Sequence, residues 1–437
     1  MQRNLLQTNA VLVLTGVLLA IVRVSPDDVH FSDPSAFKEI HRIGGRYEKN
    51  KWYRSFRKGG DHDDLFSMLD SKMHAQRRKL FAPLFSNTAL MSNRHRRQSH
   101  GSGSEDQGGG NAGWRGGRLQ VVDFDGSRRY LTSCIRRAFR SSRSWTSIAL
   151  RAEIKSCIQY ADTWSLENRA FANTRGGRQV WINNVRAAAA ELYAAMHPQM
   201  TLQRARSNGI GSANVFSKIV AENEKDSEQL SDYEVALEAG AFIVIGTGTT
   251  AVTLSYLVYA VLSDPRIQAR LETEVGMLEP GYTDAQVAAL PYLSAVIEET
   301  LRKYSAAPGA LPRTVPKGGA TLAGHFIPEG TTVSTQAYTF HQNGDFYPNP
   351  ERFAPERFLS PLGAFEQPKG VFAPFGAGAR ICLGVHLARM ELRHATALFF
   401  RECKGARLSP RTTPASMEMV NYFLVSPKSE QCWVTLT

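Results

Sequence analysis

The chain has 437 residues and is 43% hydrophobic, enough to bury a large core, and length alone would allow two or three domains. Its five cysteines, odd in number and without paired spacing, exclude a disulfide framework and point to a reducing, cytosolic setting in which a thiol is free to ligate. The net charge of +12 could serve nucleic acid, an anionic membrane or an acidic protein, and the absence of any nucleic-acid-binding motif leaves the latter two.

In chain order, the first feature is an apolar run from Ala10 to Val22, shorter than the ~20 residues of a usual membrane span. No small-residue cleavage site closes it, so residues 1–23 read as a short membrane anchor, with a cleaved signal or a buried helix as alternatives. Residues 24–48 alternate apolar and polar side chains, as in Val24-Ser-Pro-Asp-Asp-Val29-His-Phe31, and then turn helical. Met73 to Phe81 form a basic amphipathic helix on which His74 and Arg78, four apart, share one face. Across 89–213 the character changes to Arg, Ser and Gly; within it 93–119 reads as disordered, and Ala-rich 186–196 suits a helix.

Order returns at Phe216. A long helix is expected from Ser231 to about Leu262, opened by a capping box of Ser231 and Glu234 and closed at Asp264-Pro265. At about 1.5 Å per residue it is about 50 Å long, enough to cross a domain. It is apolar almost all round from Ala239 to Val261, as a buried central helix should be. Its exception is Ile245-Gly246-Thr247-Gly248-Thr249-Thr250, where each glycine costs up to ~1 kcal/mol relative to alanine. Something must offset that cost, either a function or a kink that serves packing. Further helices are expected over 264–275, 283–290 and 292–304, the second with a Thr283/Gln286 capping box. In the third, Glu299 and Arg302 face each other three residues apart, and if buried they must pair.

Residues 311–341 read as short strands with Gly and Pro turns. Pro355-Glu356-Arg357-Phe358 follows, and then Phe375-Gly-Ala-Gly378-Ala-Arg380-Ile-Cys382-Leu-Gly384, ahead of a helix over 385–400. This last segment puts a cysteine on a turn before a helix, with glycines that let the backbone approach a flat ligand. Glycine N–H groups and the helix N-terminus would stabilise a thiolate there, a soft ligand for iron. Cys403 and Cys432 read as buried structural cysteines.

The ten residues spell F-x-x-G-x-R-x-C-x-G, and with the order of the motifs before them they resemble the cytochrome P450 family over residues 24–90 and 216–437. The resemblance implies a mainly α fold with small β-sheets, a helical haem domain over 24–437 behind a short N-terminal membrane anchor. It implies heme b, iron protoporphyrin IX, with Cys382 as the metal ligand, Phe375 packed beside it, and Gly378 and Gly384 in its loop. Arg380, Arg313, Arg78 and His74 would hold the propionates. Gly246 and Thr249 match the distal-helix pattern A/G-G-x-D/E-T-T and Thr250 follows, which makes these three the candidate catalytic residues for handling dioxygen. Gly248 stands where that pattern has an acid, so proton delivery needs water or another side chain. Glu299, Arg302 and Arg357 would form a structural triad, residues 306–311 would line the substrate pocket, and Phe423 to Thr437 would be the last hairpin.

The implied activity is that of a haem-thiolate monooxygenase inserting one oxygen atom of dioxygen into a small hydrophobic substrate. Electrons would come from a separate NADPH-cytochrome P450 reductase, whose acidic docking face suits this basic chain and Arg389. The implied location is the endoplasmic reticulum membrane, in contact with membrane lipid, with the catalytic domain facing the cytosol and no nucleic acid as partner. The run Gly246 to Leu257 and Leu311-Pro-Arg-Thr-Val-Pro-Lys-Gly-Gly319 resemble the fungal branch, whose members often tailor secondary metabolites. Alternatives are a haem-thiolate isomerase, dehydratase or peroxygenase, an inactive haem-binding relative suggested by the irregular 89–213 stretch and the lack of a proline-rich hinge, and a basic membrane-associated helical protein without cofactor.

Overall fold

The second strand is buried on both faces. Val29 and Phe31 of β2 (Asp28–Phe31) point into a small core with Ile40, Val315, Leu322 and Val333. The computed structural model describes residues 20–57, 62–90, 122–123, 230–359, 370–421 and 423–435. β1 (Ile21–Ser25) pairs antiparallel with β2, and β2 pairs parallel with β8 (Thr332–Thr335). β5 (Arg313–Thr314) and β3 (Glu48–Lys49) complete a five-stranded sheet in the order β1-β2-β8-β5-β3. The anchor expected over 1–23 is thereby corrected at its end, because Ile21, Val22 and Arg23 are strand residues paired with Phe31, His30 and Val29. No residue of β1 is fully buried, as suits an edge strand of the sheet. Among the described residues no helix is long and apolar enough to cross a membrane.

The helices start where their caps are. α1 (Pro34–Ile40) follows Asp33, whose carboxylate accepts from the Ala36 N–H, and α2 (Ser71–Phe81) follows Asp70, which accepts from Met73. The long α3 (Asp232–Leu262) opens on the expected capping box: Ser231 Oγ accepts from the Glu234 N–H, and Glu234 accepts from the Ser231 N–H at 2.9 Å. α4 (Pro265–Gly276) has Pro265 in its first turn, and α5 (Asp284–Ala288) carries both halves of the Thr283/Gln286 box. α6 (Pro291–Lys303) has no cap of its own. Glu274 of α4 supplies one from outside, accepting from the N–H groups of Tyr292 and Leu293 at 2.9 and 2.7 Å.

α3 packs against α4, α6 and α8 (Val385–Glu402), and one large apolar cluster fills the space between them, including Leu254, Leu257, Leu271, Leu293 and Phe400. A second cluster joins Phe81 and Phe85 to Val235 and Phe242 of α3 and to Leu383 and Leu387 beside the cysteine turn. That cluster sets α2 and α3 around the turn. The last hairpin lies earlier than expected, formed by β10 (Met419–Asn421) and β11 (Val425–Pro427). The strands beyond it pair elsewhere, β13 (Val434–Thr435) with β9 (Arg407–Leu408) and β12 (Gln431–Cys432) with β4 (Val122–Asp123). The expected disorder over 93–119 and the helix over 186–196 lie outside the described residues.

Candidate active site

Residues 375–384 are held as a turn by backbone bonds, the Cys382 N–H donating to the Phe375 carbonyl at 2.9 Å and the Gly376 N–H to the Ala373 carbonyl at 3.0 Å. Gly376 and Gly378 have φ of +73° and +66°, values that strain any side chain. At Gly378 an added Cβ would stand 1.7 Å from the His41 carbonyl oxygen. This glycine lets the turn pack onto the end of α1. Gly384 precedes α8 with φ −84°, and a Cβ there would meet the Cys382 sulfur at 4.0 Å and nothing nearer.

Cys382 is open to solvent and yet desolvated by the protein around it. Burial pushes its thiol up, while the Gly384 N–H and the charge of Arg78 pull it down. Bound to a metal cation such a thiol loses its proton outright. Arg78 donates to the Ile381 carbonyl at 2.8 Å, which docks α2 against the turn.

The predicted propionate ligands come together beside this turn. Arg313, buried on β5, donates to the Tyr53 hydroxyl at 3.3 Å. Arg380 donates to the Met68 and Leu69 carbonyls at 2.8 and 2.6 Å. Burial and then Arg313 lower its pKa to about 10, so it stays charged at neutral pH. His74 does not: burial, then Arg380, Lys49, Arg78 and Arg313, drive it down to about 3. It is a neutral imidazole, able to hydrogen-bond an anion but not to add charge. Lys49, which the sequence reading passed over inside the polar run Glu48-Lys49-Asn50-Lys51, belongs to the same group. Against these cations the nearest carboxylate contact among the described residues is 3.8 Å, from Glu48 to Arg380.

On α3, Gly246 is exposed and a Cβ there would meet nothing within 4 Å. The two threonines after it do different things. Thr249 donates to the Ile245 carbonyl of its own helix at 2.8 Å, and Thr250 donates to Oε2 of Glu391 on α8 at 3.2 Å. Burial pushes the Glu391 carboxyl up to about 7, with the Thr250 hydroxyl opposing the shift. Glu391 is a second residue the sequence reading missed, since nothing in a proximal-helix pattern marks one of its acids as buried.

The triad is assembled as expected. Glu299 and Arg302, both fully buried, meet through two bonds, Nε to Oε2 at 2.7 Å and Nη2 to Oε1 at 2.9 Å, and Arg357 Nε lies 3.5 Å from Oε1. Arg302 also donates to the His341 and Pro350 carbonyls, so the pair fixes the chain that leads to the cysteine turn. Phe375 carries the guanidinium of Arg389 over its ring at 5.4 Å. Arg389 itself is ion-paired with Glu298, donating at 3.0 Å.

A solvent-open thiol beside a group of cations whose nearest carboxylate contact among the described residues is 3.8 Å fits a haem, whose iron would take the sulfur and whose propionates would take the cations. Comparison with known proteins agrees. A model of the family described as Cytochrome P450 matches residues 182–433. Cytochrome P450 monooxygenase aflV of Aspergillus parasiticus is 33% identical over 433 residues, covering 95% of this chain and 84% of that protein. Cytochrome P450 monooxygenase cypX of Dothistroma septosporum is 32% identical over 437 residues, covering 95% and 83%. Cytochrome P450 monooxygenase tazI of Aspergillus terreus is 34% identical over 432 residues, covering 95% and 85%.

Proposed function

Because the chain belongs to the cytochrome P450 family and is an oxidoreductase of the monooxygenase kind, we propose that it binds heme b through Cys382 and inserts one oxygen atom of dioxygen into a small hydrophobic substrate. The observation that carries this reading is the solvent-open Cys382 sulfur on its turn, with the Gly384 N–H and Arg78 favouring its thiolate form. When bound, the haem supplies the redox chemistry by which dioxygen, two electrons and two protons yield an oxygenated product and water.

The chain's own residues bind, orient and protonate. Arg78, Arg313 and Arg380 offer charge to the propionates and His74 offers a neutral N–H. Gly246 leaves room on α3 for a small diatomic. The Thr249 hydroxyl donates its one proton to the Ile245 carbonyl and keeps acceptor lone pairs beside that room; to donate there it would have to turn away from the carbonyl. Gly248 supplies no acid, and the buried carboxyl nearest in function is Glu391, which meets Thr250 and titrates at about 7, where it can both give and take a proton near neutral pH.

The proposed electron donor is a separate NADPH-cytochrome P450 reductase, attracted by the chain's net charge of +12, to which Arg389 contributes beside Glu298. The proposed location is the cytosolic face of the endoplasmic reticulum membrane, with any anchor ending before Ile21. The substrate is proposed to be a secondary-metabolite intermediate, on the strength of the fungal resemblance. An isomerase, dehydratase or peroxygenase that needs no reductase is the second reading, and Gly248 in the acid position favours it.

The first test is the carbon monoxide difference spectrum of the dithionite-reduced protein beside Cys382→Ala. A strongly red-shifted Soret band that depends on Cys382 supports the reading, and a spectrum indifferent to the substitution overturns it. Product formation that requires NADPH and reductase then separates a monooxygenase from the second reading.

A further inference from the structure

Lys49 is a buried cation whose partner is not a carboxylate. It lies on β3 directly across from Arg313 in the register of β3 and β5, with 8% of its surface exposed. Its ammonium sits 4.1 Å above the ring of Tyr53 and 4.4 Å above that of Phe66, and donates to the Phe66 carbonyl. Asp64 is the acid that favours its charge, but among the described residues no carboxylate oxygen comes within ion-pair distance of the ammonium. Burial, Arg313 and Arg380 all work against that charge and hold the Lys49 pKa well below its ordinary value.

A buried ammonium with only ring faces and a carbonyl for company is costly. The aromatic faces and the carbonyl offset part of that cost and keep the stem in place. Arg313 and Arg380, cations of the bay that is proposed above to take the propionates, add repulsion that nothing among these contacts offsets. A site that gathers like charges in the absence of ligand is built for an anion, and the anion restores the balance.

We infer that Lys49 is a further cofactor-binding residue, its ammonium serving as charge partner to a carboxylate of the bound haem. The inference rests on the proposed haem-thiolate reading. It names one more cation than the motifs supply and gives Tyr53 a positioning role, since its ring underlies Lys49 and its hydroxyl accepts from Arg313.

The test uses full-chain protein, Lys49→Met and Lys49→Arg, each loaded with haem or with haem dimethyl ester, which lacks propionate charge. The readouts are the rate of haem transfer to excess apomyoglobin and the thermal unfolding of each protein before loading. Lys49→Met is expected to lose ordinary haem on the order of tenfold faster than wild type. It should lose the diester at the wild-type rate, and Lys49→Arg should retain haem nearly as wild type does. Before loading, Lys49→Met should unfold at or above the wild-type temperature, because a buried charge is gone. Equal retention of ordinary haem by Lys49→Met and wild type overturns the inference. So does faster loss of both haem and diester, or collapse of the unloaded variant, either of which makes Lys49 a packing residue. Failure of the haem reading is distinguishable: wild type would then take up no haem, or would give a spectrum that Cys382→Ala leaves unchanged.

Discussion

The Thr250 hydroxyl lies 3.2 Å from Oε2 of Glu391, a bond that ties the central helix to the helix leaving the cysteine turn. Burial holds the Glu391 carboxyl at about 7 against an ordinary 4.5, and the hydroxyl keeps it from rising further. The native protein therefore binds this proton more tightly than the unfolded chain, and the stability it contributes falls as pH rises from about 4.5 to about 7. Glu391→Gln should flatten that part of the dependence of the urea midpoint on pH. Thr250→Val removes the opposing bond and should raise the carboxyl pKa above the wild-type value, read from the pH at which the protonated carboxyl stretch disappears in the infrared. An unchanged titration in Thr250→Val would show that the contact has no weight in solution.

Glu299 and Arg302 form the most sharply defined charge pair of the fold, with both side chains fully buried. Removing one partner strands the other, at a cost of about 3–5 kcal/mol. Glu299→Gln is expected to lower stability by that amount in chemical denaturation. Arg302→Lys should do little better, because an ammonium cannot meet both carboxylate oxygens and also reach the His341 and Pro350 carbonyls. Variants with wild-type denaturation midpoints would mean that the pair is solvated.

Two glycines of the cysteine turn should respond in opposite ways. Gly378→Ala demands that the His41 carbonyl move, since a Cβ would lie 1.7 Å from it, and φ is +66° besides. Gly384→Ala meets only the Cys382 sulfur at 4.0 Å and needs no unusual φ. Gly378→Ala should therefore fail to fold or lose the red-shifted carbon monoxide band, whereas Gly384→Ala should fold with the wild-type thermal midpoint. A stable Gly378→Ala with an unaltered spectrum would contradict the close packing of the turn on α1.

Capping boxes at Ser231 and Thr283, the proline starts at Pro265 and Pro291, and the Glu299/Arg302 spacing were all legible because each is a local rule of the chain. The cysteine turn before a helix was legible for the same reason. What could not be read was long-range: Glu274 capping α6, His41 filling the space that Gly378 leaves, and Glu298 pairing with Arg389. Lys49 and Glu391 escaped because burial, not residue type, gives them their chemistry. In sequence each is one charge among several on a polar stretch.

Gly246 and Gly248 offer a way to separate stability from function on one helix. Both sit inside α3, where glycine costs up to ~1 kcal/mol relative to alanine. Neither is held there by crowding: a Cβ at Gly246 would meet nothing within 4 Å, and at Gly248 only the Leu424 Cδ1 at 3.9 Å, an ordinary contact. Gly246→Ala and Gly248→Ala should thus each raise the thermal midpoint. They should part in turnover. Gly248→Ala leaves Thr249 on the Ile245 carbonyl and Thr250 on Glu391, so product formed per NADPH consumed should match wild type. Gly246→Ala puts a methyl into the open space on α3, and there the same ratio should fall as electrons leak to reduced oxygen species. A Gly246→Ala protein that is stabilised and equally well coupled would mean that the opening at this glycine serves only the shape of the helix.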